Sequence, residues 1–337
     1  AAYAGFPMPD REESIEQTFH IYQVGDDGKW QSIFTNARRQ SAAEKDQNRP
    51  VEQDCLISLM KELSSEVDAA PPIYLEPLEK NIPLETVLQE SGIQRAFENG
   101  NWNRKAERAR LVAPIGYTDS TEACIQEPLT VDFEDQDGHL WVIGGPARGK
   151  SMSLETTLLS LALTNTPEEA QFYILEFSAE GRLKAFQSLP HCGAVITPKD
   201  PPELVDRLFR FLDDEMNRRS EKKGRGKKGQ SRDADIFLLI HDFNELRSAY
   251  PDHMDRLTPF IKSKAMGIHL IVSTNRRIEL PNKLSIARKV VLRLTNRDDY
   301  SDAIGGRVTI PAVQAEGRGL WADGKPLECQ IAQPIVS

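Results

Sequence analysis

Hydrophobic and polar positions follow two different patterns along the chain. Before about residue 110, short apolar stretches are separated by polar and proline-containing segments, and the clearest element is a helix over residues 51–63, where apolar side chains recur at helical spacing. Beyond that point, short apolar runs alternate with amphipathic segments. This alternation predicts an α/β fold with a mostly parallel sheet and helices on both faces.

The apolar runs predict the strands, and the amphipathic segments between them predict the helices. One helix begins at Pro201-Pro202-Glu203 and carries its apolar side chains on one face. In the first part of the chain a strand is predicted at Thr18–Val24. In the second part, strands are predicted at residues 112–116, 129–133, 139–143, 171–177, 194–197, 236–242, 269–274, 290–294 and 327–332.

These patterns divide the chain into three parts. Residues 1–50 are largely polar, and we interpret them mainly as a linker. Residues 51–110 combine the first helix with a proline-rich segment that must be extended, because proline breaks both helices and strand pairing. We predict that this extended and helical lead-in packs on the domain that follows. Residues 111–337 form that α/β domain.

A glycine-rich stretch with the pattern G-x-x-x-x-G-K-S follows the strand at 139–143 and precedes a helix. In that context the pattern is typical of the phosphate-binding loop of P-loop nucleotidases. Glycines let successive backbone N–H groups face phosphate oxygens, Lys150 reaches the β- and γ-phosphates, and the Ser151 hydroxyl ligates Mg²⁺. We therefore predict an ATP and Mg²⁺ site. Its loop residues are Gly144, Gly145, Pro146, Ala147, Arg148, Gly149, Lys150, Ser151 and Met152.

The strand at 236–242 ends in Asp242, a carboxylate suited to the Mg²⁺ shell. We predict that Ser151 and Asp242 hold the metal, and that Lys150 and Asp242 are the catalytic candidates if the site is active. In many P-loop ATPases a glutamate follows this aspartate and polarises the attacking water. Here Phe243 follows, and a phenyl ring cannot accept a proton. The sequence therefore predicts ATP binding with weak hydrolysis.

Three other polar residues lie near the same predicted sheet edge. Glu176 and Glu245 are carboxylates that could substitute for the missing glutamate. Asn275 follows the strand at 269–274, and its amide is suited to sensing the γ-phosphate. We include Asn275 among the nucleotide-binding residues.

Charge and composition narrow the class of partner. The 337 residues carry a formal net charge of −9, which argues against binding DNA or an anionic membrane. One basic segment, Arg218–Lys228, is either a DNA-contacting loop or a solvated loop, and the solvated loop is favoured. The four cysteines are far apart, which indicates a reducing compartment. No apolar run reaches the ~18 residues of a membrane span, so we expect no membrane contact by this chain itself.

Several segments together resemble the FtsK/SpoIIIE family of hexameric P-loop ATPases. The resemblance extends over about residues 111–332 and implies a RecA/FtsK-like fold. It includes Asn275 at a position where that family carries glutamine. The segments are Thr166–Glu176, Leu189-Pro190-His191-Cys192, Asp213–Arg219 and Ala265–Arg276.

Within that family the chain most resembles the EccC and EssC ATPases of type VII secretion. Those proteins are membrane-anchored and carry three ATPase modules in tandem. The resemblance implies that this chain is the second, central module, or alternatively a terminal one, and that Ala2–Gly5 ends a preceding module. The chain begins without Met, and we expect it to be part of a longer protein. The similar segments are Ile73–Leu78 with Ile82–Leu84, Pro114–Gly116, Gln126–Leu129 and Glu316–Leu320.

The resemblance also implies a location and partners. They are a cytoplasmic position in a membrane-anchored complex, neighbouring ATPase modules in a hexamer, and secreted proteins of the WXG type. Three functions stay open: a regulatory secretion module with a degenerate site, an active DNA-translocating motor, and a substrate-docking platform in which nucleotide is absent or only structural. Arg288, Arg293 and Arg297 are candidates for an arginine completing a neighbour's site, or for surface ion pairs.

Overall fold

The structure is a computed structural model. It describes residues 2–4, 20–24, 30–35, 52–63, 74–98, 100–103, 108–135, 138–224, 233–262, 266–280, 284, 286–306, 309–312 and 315–335. The chain forms two compact units, Ala1–Pro71 and Pro72–Ser337. This division lies between the two boundaries predicted at residues 50/51 and 110/111.

In its described residues, the smaller unit contains a three-stranded antiparallel sheet and one helix. The strands β1 (Ala2–Ala4), β2 (His20–Val24) and β3 (Trp30–Thr35) lie in that order in the sheet. Helix α1 spans Glu52–Leu63. The predicted strand at residues 18–24 and helix at 51–63 correspond to β2 and α1.

Residues 74–110 of the lead-in belong to the larger unit. Helix α2 (Leu84–Glu90) follows Pro83, and strands β4 (Phe97–Glu98) and β5 (Asn101–Trp102) form a short hairpin. The Leu84 N–H donates to the carbonyl of Gln333 at 2.9 Å, and the Gln333 N–H donates to the carbonyl of Ile82 at 2.7 Å. The residues at the start of α2 are therefore hydrogen-bonded to the segment that follows β15.

The larger unit is built on a ten-stranded sheet among the described residues, with strand order β10-β9-β11-β12-β8-β13-β14-β15-β6-β7. Its strands are β6 (Val112–Ser120), β7 (Ile125–Asp132), β8 (Leu140–Ile143), β9 (Ala170–Glu176), β10 (Cys192–Ile196), β11 (Asp235–His241), β12 (Ile268–Thr274), β13 (Lys289–Leu292), β14 (Arg318–Ala322) and β15 (Leu327–Ile331). Its further helices are α3 (Lys150–Thr164), α4 (Glu203–Gly224), α5 (Phe243–Ala249), α6 (Leu257–Lys262) and α7 (Arg297–Ile304).

The predicted mostly parallel α/β fold is confirmed, with an antiparallel extension. The six strands from β10 to β13 in the sheet order pair in parallel. From β13 through β14, β15, β6 and β7 the pairing is antiparallel. Strand direction is set by chain connections, so short apolar runs alone cannot distinguish the two halves.

Alternate residues of β11 separate two apolar layers. Ile236, Leu238 and Ile240 face the cluster that contains α4, whereas Phe237 and Leu239 face the cluster that contains α3. Every residue of β11 is buried, because a central parallel strand is covered on both faces. The helices therefore lie on both faces, as predicted.

Helix α4 is the longest of the described helices and is amphipathic. Val205, Leu208, Phe209 and Leu212 are buried on one face, as the spacing predicted. Among the described residues, none of the helices combines the length and apolar character required to cross a membrane.

Candidate functional site

The glycine-rich loop lies where β8 ends and α3 begins, at the carboxyl edge of the parallel strands. Two N–H groups tie it to neighbouring strands: Gly144 donates to the carbonyl of Thr274 at 3.1 Å, and Gly145 donates to the carbonyl of Arg293 at 3.0 Å. These two groups therefore anchor the loop. The first N–H groups of α3, from Lys150 to Met152, are left for a phosphate, since a helix offers them no intrahelical acceptor.

The loop backbone requires unusual conformations. Gly149, immediately before α3, has φ 96°, and a Cβ added there would lie 2.6 Å from the Gly317 nitrogen. A side chain at this position is therefore excluded both by its φ and by space. Ala147 also has a positive φ of 53°. Left-handed residues of this kind curl successive N–H groups into an anion-binding concavity.

The Lys150 ammonium is held inside the loop. Its Nζ donates to the carbonyls of Gly144 at 2.9 Å and Gly145 at 3.0 Å, and to Asn275 Oδ1 at 2.9 Å. Burial lowers the pKa of Lys150, and the nearby carboxylates of Asp242, Glu279 and Glu180 act in the opposite direction. The structure thus brings the predicted lysine and the predicted sensor amide together.

The hydroxyl of the predicted metal ligand Ser151 lies beside His241. Ser151 Oγ is 3.3 Å from His241 Nε2, and His241 Nδ1 is 3.0 Å from Glu176 Oε1. Because a carboxylate can only accept, Nδ1 carries a proton and Nε2 is directed at the serine. Strand β11 ends at His241 rather than at Asp242, so the prediction of a strand over residues 236–242 was too long by one residue. The sequence pattern did not identify His241 as a site residue.

Asp242 lies one residue beyond the strand, with φ 65°, and precedes α5. The backbone N–H of Asp242 donates a hydrogen bond to Ser273 Oγ at 3.0 Å. Its Oδ1 is buried and lacks a hydrogen-bond partner in the part of the chain that the structure describes. A buried oxygen without a partner is costly unless a ligand completes it. The unpaired oxygen and the negative charge of the Asp242 carboxylate, which acts on Lys150, both fit a site for a bound cation.

Phe243 does not face the site. Its side chain is fully buried in the same apolar cluster as Leu246 and Val272. Phe243 is the first residue of α5 and its ring packs into the core, so it places no group in the site that could polarise a water molecule.

The two substitute glutamates have different environments. Glu176 is buried, and its carboxylate accepts hydrogen bonds from the Ser178 N–H at 3.0 Å, the Ser178 hydroxyl at 2.5 Å and the Leu183 N–H at 3.0 Å. Burial acts to raise the pKa of Glu176, but the hydrogen bonds from His241 and Ser178 outweigh it and lower the pKa. Glu176 is a structural carboxylate. Glu245 is exposed in the first turn of α5.

Sequence reasoning missed Glu180, whose Oε2 is 3.3 Å from Ser151 Oγ. Glu180 lies in the loop after β9, four residues beyond the strand end. A search for carboxylates on the loops adjoining the glycine-rich loop could have found it, since the carboxyl end of β9 lies at the same edge of the sheet as that loop.

The three candidate arginines separate into two groups. Arg288 is buried: its Nε donates to Asp323 at 2.9 Å, its Nη1 donates to the carbonyl of Asp132 at 2.6 Å, and its Nη2 is 3.3 Å from Asp135. It is therefore committed within its own chain, and the idea that it reaches a neighbour is wrong. Arg293 and Arg297 instead line a cavity of about 250 Å³ next to the glycine-rich loop.

The residues present fit a nucleotide and Mg²⁺. The loop supplies N–H groups and Lys150 for phosphates. Ser151 and Asp242 supply hydroxyl and carboxylate oxygens, which are the donors that Mg²⁺ prefers. The unpartnered Asp242 Oδ1 is the observation that carries this fit.

A parallel strand that ends in such a loop, a helix that begins at its lysine, and acidic groups on the adjoining strand ends define a P-loop nucleotide-binding domain. The FtsK/SpoIIIE family model matches residues 100–321, and the chain belongs to this family. Membership implies nucleotide binding together with a divalent metal.

Similar proteins belong to type VII secretion systems. The chain is 27% identical over 300 residues to the ESX-3 secretion system protein EccC3 of Mycobacterium tuberculosis, covering 82% of this chain and 21% of that protein. It is 30% identical over 234 residues to the ESX secretion system protein EccC of Thermomonospora curvata, covering 64% of this chain and 18% of that protein. The chain thus spans about a fifth of the length of these relatives.

One solved structure similar to this chain contains ATPases 2 and 3 of Thermomonospora curvata EccC in complex with a signal sequence peptide. Its TM-score is 0.61 at 27% identity, and the match covers 77% of this chain and 49% of that one. The structure of EssC ATPases 2 and 3 from Geobacillus thermodenitrificans gives a TM-score of 0.65 at 20% identity, over 78% of this chain and 49% of that one, which supports the fold alone.

Proposed function

We propose that this chain is an ATP- and Mg²⁺-binding module of a membrane-anchored type VII protein-secretion ATPase, in which it has a regulatory role. The observation that carries the proposal is the loop that holds Lys150 and Ser151 at the start of α3. The EccC relatives supply the biological setting. In this proposal the chain is the central module on the cytoplasmic side, and it contacts neighbouring modules in a hexameric assembly.

Nucleotide binding requires Lys150 to exchange partners. Its three acceptors lie within the loop and on Asn275, so a phosphate must replace at least one of them. A negatively charged oxygen is a stronger acceptor for an ammonium than a neutral carbonyl. Asn275, freed from Lys150, would then be available to the γ-phosphate.

We further propose that hydrolysis by the chain alone is weak. P-loop ATPases use one carboxylate for the metal and a separate group to position the attacking water. Here the strand end next to Ser151 carries the imidazole of His241, and Asp242 is the remaining carboxylate of that segment. If Asp242 is held by the metal through its buried Oδ1, it is not free to take the proton of the attacking water, and general-base assistance, typically worth about 10²–10⁴-fold, is lost.

The alternative of a DNA-translocating motor has less support. In the described part of the basic segment, Arg218 pairs with Glu215 at 2.7 Å and Lys222 pairs with Asp233 at 3.0 Å. Arg219 donates to the carbonyls of Met266 at 2.8 Å and Ala234 at 2.7 Å. These cations are occupied by their own chain. Residues 225–228 of the segment lie outside the described residues.

Secreted partners of the WXG type belong to this proposal through the relatives, since one solved EccC structure holds a signal sequence peptide. The apolar residues Leu257, Phe260 and Ile261 of α6 are buried and pack in the core, so they do not form a docking groove.

The test measures ATP affinity and phosphate release by the chain alone, with a C-terminal tail peptide of a WXG protein, and with duplex DNA. We expect ATP binding, turnover near background and no response to DNA. Absence of ATP binding would refute the nucleotide site. Saturable DNA binding that raises turnover would replace secretion with DNA translocation.

A further inference from the structure

The carboxylate of Glu180 lies at the metal side of the glycine-rich loop, although it comes from a different strand connection than Asp242. Its Oε2 is 3.3 Å from Ser151 Oγ. A carboxylate can only accept, so the serine hydroxyl is the donor in this contact. Glu180 therefore faces the hydroxyl that a P-loop uses to ligate Mg²⁺.

The loop that carries Glu180 is fastened at both ends. Before it, Ser178 donates to the buried Glu176 carboxylate through both its N–H and its hydroxyl. After it, Arg182 donates to both oxygens of Glu155 in α3, at 2.8 and 2.7 Å. Helix α3 is the helix that begins with Lys150 and Ser151. Glu180 is thus presented by a short loop tied to the same helix as Ser151.

The charges around Lys150 require a cation when phosphate binds. Three carboxylates, of Asp242, Glu279 and Glu180, act on the single ammonium of Lys150. A polyphosphate entering next to them adds further negative charge at short range, which is unfavourable in a partly buried site. A divalent cation between phosphate and carboxylate removes this repulsion.

His241 is poorly suited as a ligand for that cation. Imidazole suits Zn²⁺, Cu²⁺ and Ni²⁺, whereas Mg²⁺ is bound by one or two carboxylates together with phosphates and water. His241 Nδ1 is in addition held by Glu176. Of the groups within reach of the Ser151 hydroxyl, Glu180 supplies the oxygen that Mg²⁺ requires.

We propose that Glu180 is a further metal-binding carboxylate of this site and holds Mg²⁺ together with Ser151, in addition to Asp242. This inference rests on the proposed function, since the metal is bound with the nucleotide. It adds a residue outside the glycine-rich loop and outside the β11 strand end.

The experiment uses the full chain and its Glu180→Gln variant. ATP affinity is measured in EDTA and across a Mg²⁺ titration, and Mn²⁺ binding to the protein–nucleotide complex is measured by electron paramagnetic resonance. We expect unchanged or tighter ATP binding in EDTA, because a negative charge is removed. The Mg²⁺ concentration for half-maximal effect should rise by at least about tenfold, the usual cost of losing a metal-site carboxylate or its support.

The matched control is Glu203→Gln, which removes an exposed carboxylate from the first turn of α4. It should leave the Mg²⁺ and Mn²⁺ titrations as in the wild type. Because Glu180 is exposed, we expect equal melting temperatures for the three proteins, and this result excludes misfolding.

The outcomes separate the two proposals. If the wild type binds ATP with Mg²⁺ and Glu180→Gln shows the same Mg²⁺ dependence, the metal assignment falls while the nucleotide site stands. If the wild type binds no nucleotide with or without the metal, the proposed function falls and the metal assignment falls with it.

Discussion

Lys150 Nζ lies 2.9 Å from Asn275 Oδ1, so the loop lysine of α3 is joined to the end of β12 across the site. Together with the two loop carbonyls, this contact satisfies the ammonium without a phosphate. The lysine side chain is thereby held in the loop, ready to transfer to a phosphate oxygen.

We expect Lys150→Ala to weaken ATP binding by roughly ten- to hundredfold, because it removes a charged hydrogen bond to phosphate worth about 1.5–3 kcal/mol. Isothermal titration calorimetry measures the change. Lys184→Ala, at an exposed position of the turn Arg182–Ser188, is the control and should bind as the wild type does. Equal affinity of Lys150→Ala and wild type would show that the phosphate site lies elsewhere.

Phe243→Glu should destabilise the protein rather than activate it. The ring is fully buried, and an uncompensated charge in that position costs on the order of 3–5 kcal/mol. Phe243→Leu keeps an apolar side chain and should cost only about 1–2 kcal/mol. Urea denaturation of both variants measures the difference. A Phe243→Glu variant as stable as Phe243→Leu, with increased turnover, would contradict the buried position.

Arg288→Ala should lower stability by about 1–3 kcal/mol, because it removes hydrogen bonds to Asp323, Asp135 and the carbonyl of Asp132. Arg297→Ala is the control: the residue is exposed, and the change should stay within about 0.5 kcal/mol. Denaturant midpoints give both values. If Arg288→Ala instead left stability unchanged and weakened subunit association, the arginine would have to act between subunits.

His191 should make stability depend on pH. The residue is buried, its Nε2 is 2.8 Å from the carbonyl of Asn165, and burial lowers its pKa from the ordinary 6.5. The unfolded chain therefore binds the proton more readily, and stability must fall as the pH drops through the unfolded value toward the folded one.

His191→Gln keeps a neutral donor but does not titrate. Its urea midpoint should consequently change less than that of the wild type between about pH 7.5 and 5.5, the range in which histidine gains its proton. Identical pH dependence of the two proteins would assign the effect to other groups.

The sequence by itself predicted the parts of this protein that depend on local order. Gly149, Lys150 and Ser151 are adjacent in the chain, and a strand–loop–helix connection brings them together whatever surrounds it. The strands β9, β11 and β12 and the helix α4 followed from apolar spacing, because burial on one or both faces imposes a period on the residues.

Tertiary structure decided which side chains meet the loop. His241 ends strand β11 and Glu180 lies in the loop after β9, and only the order of β8, β12, β11 and β9 in the sheet sets both next to Ser151. The backbone turn at Asp242, with φ 65°, directs Phe243 into the core. Arg288 is buried directly before β13, the strand that pairs with β14. Such contacts depend on distances between residues far apart in the chain, which spacing along the sequence does not encode.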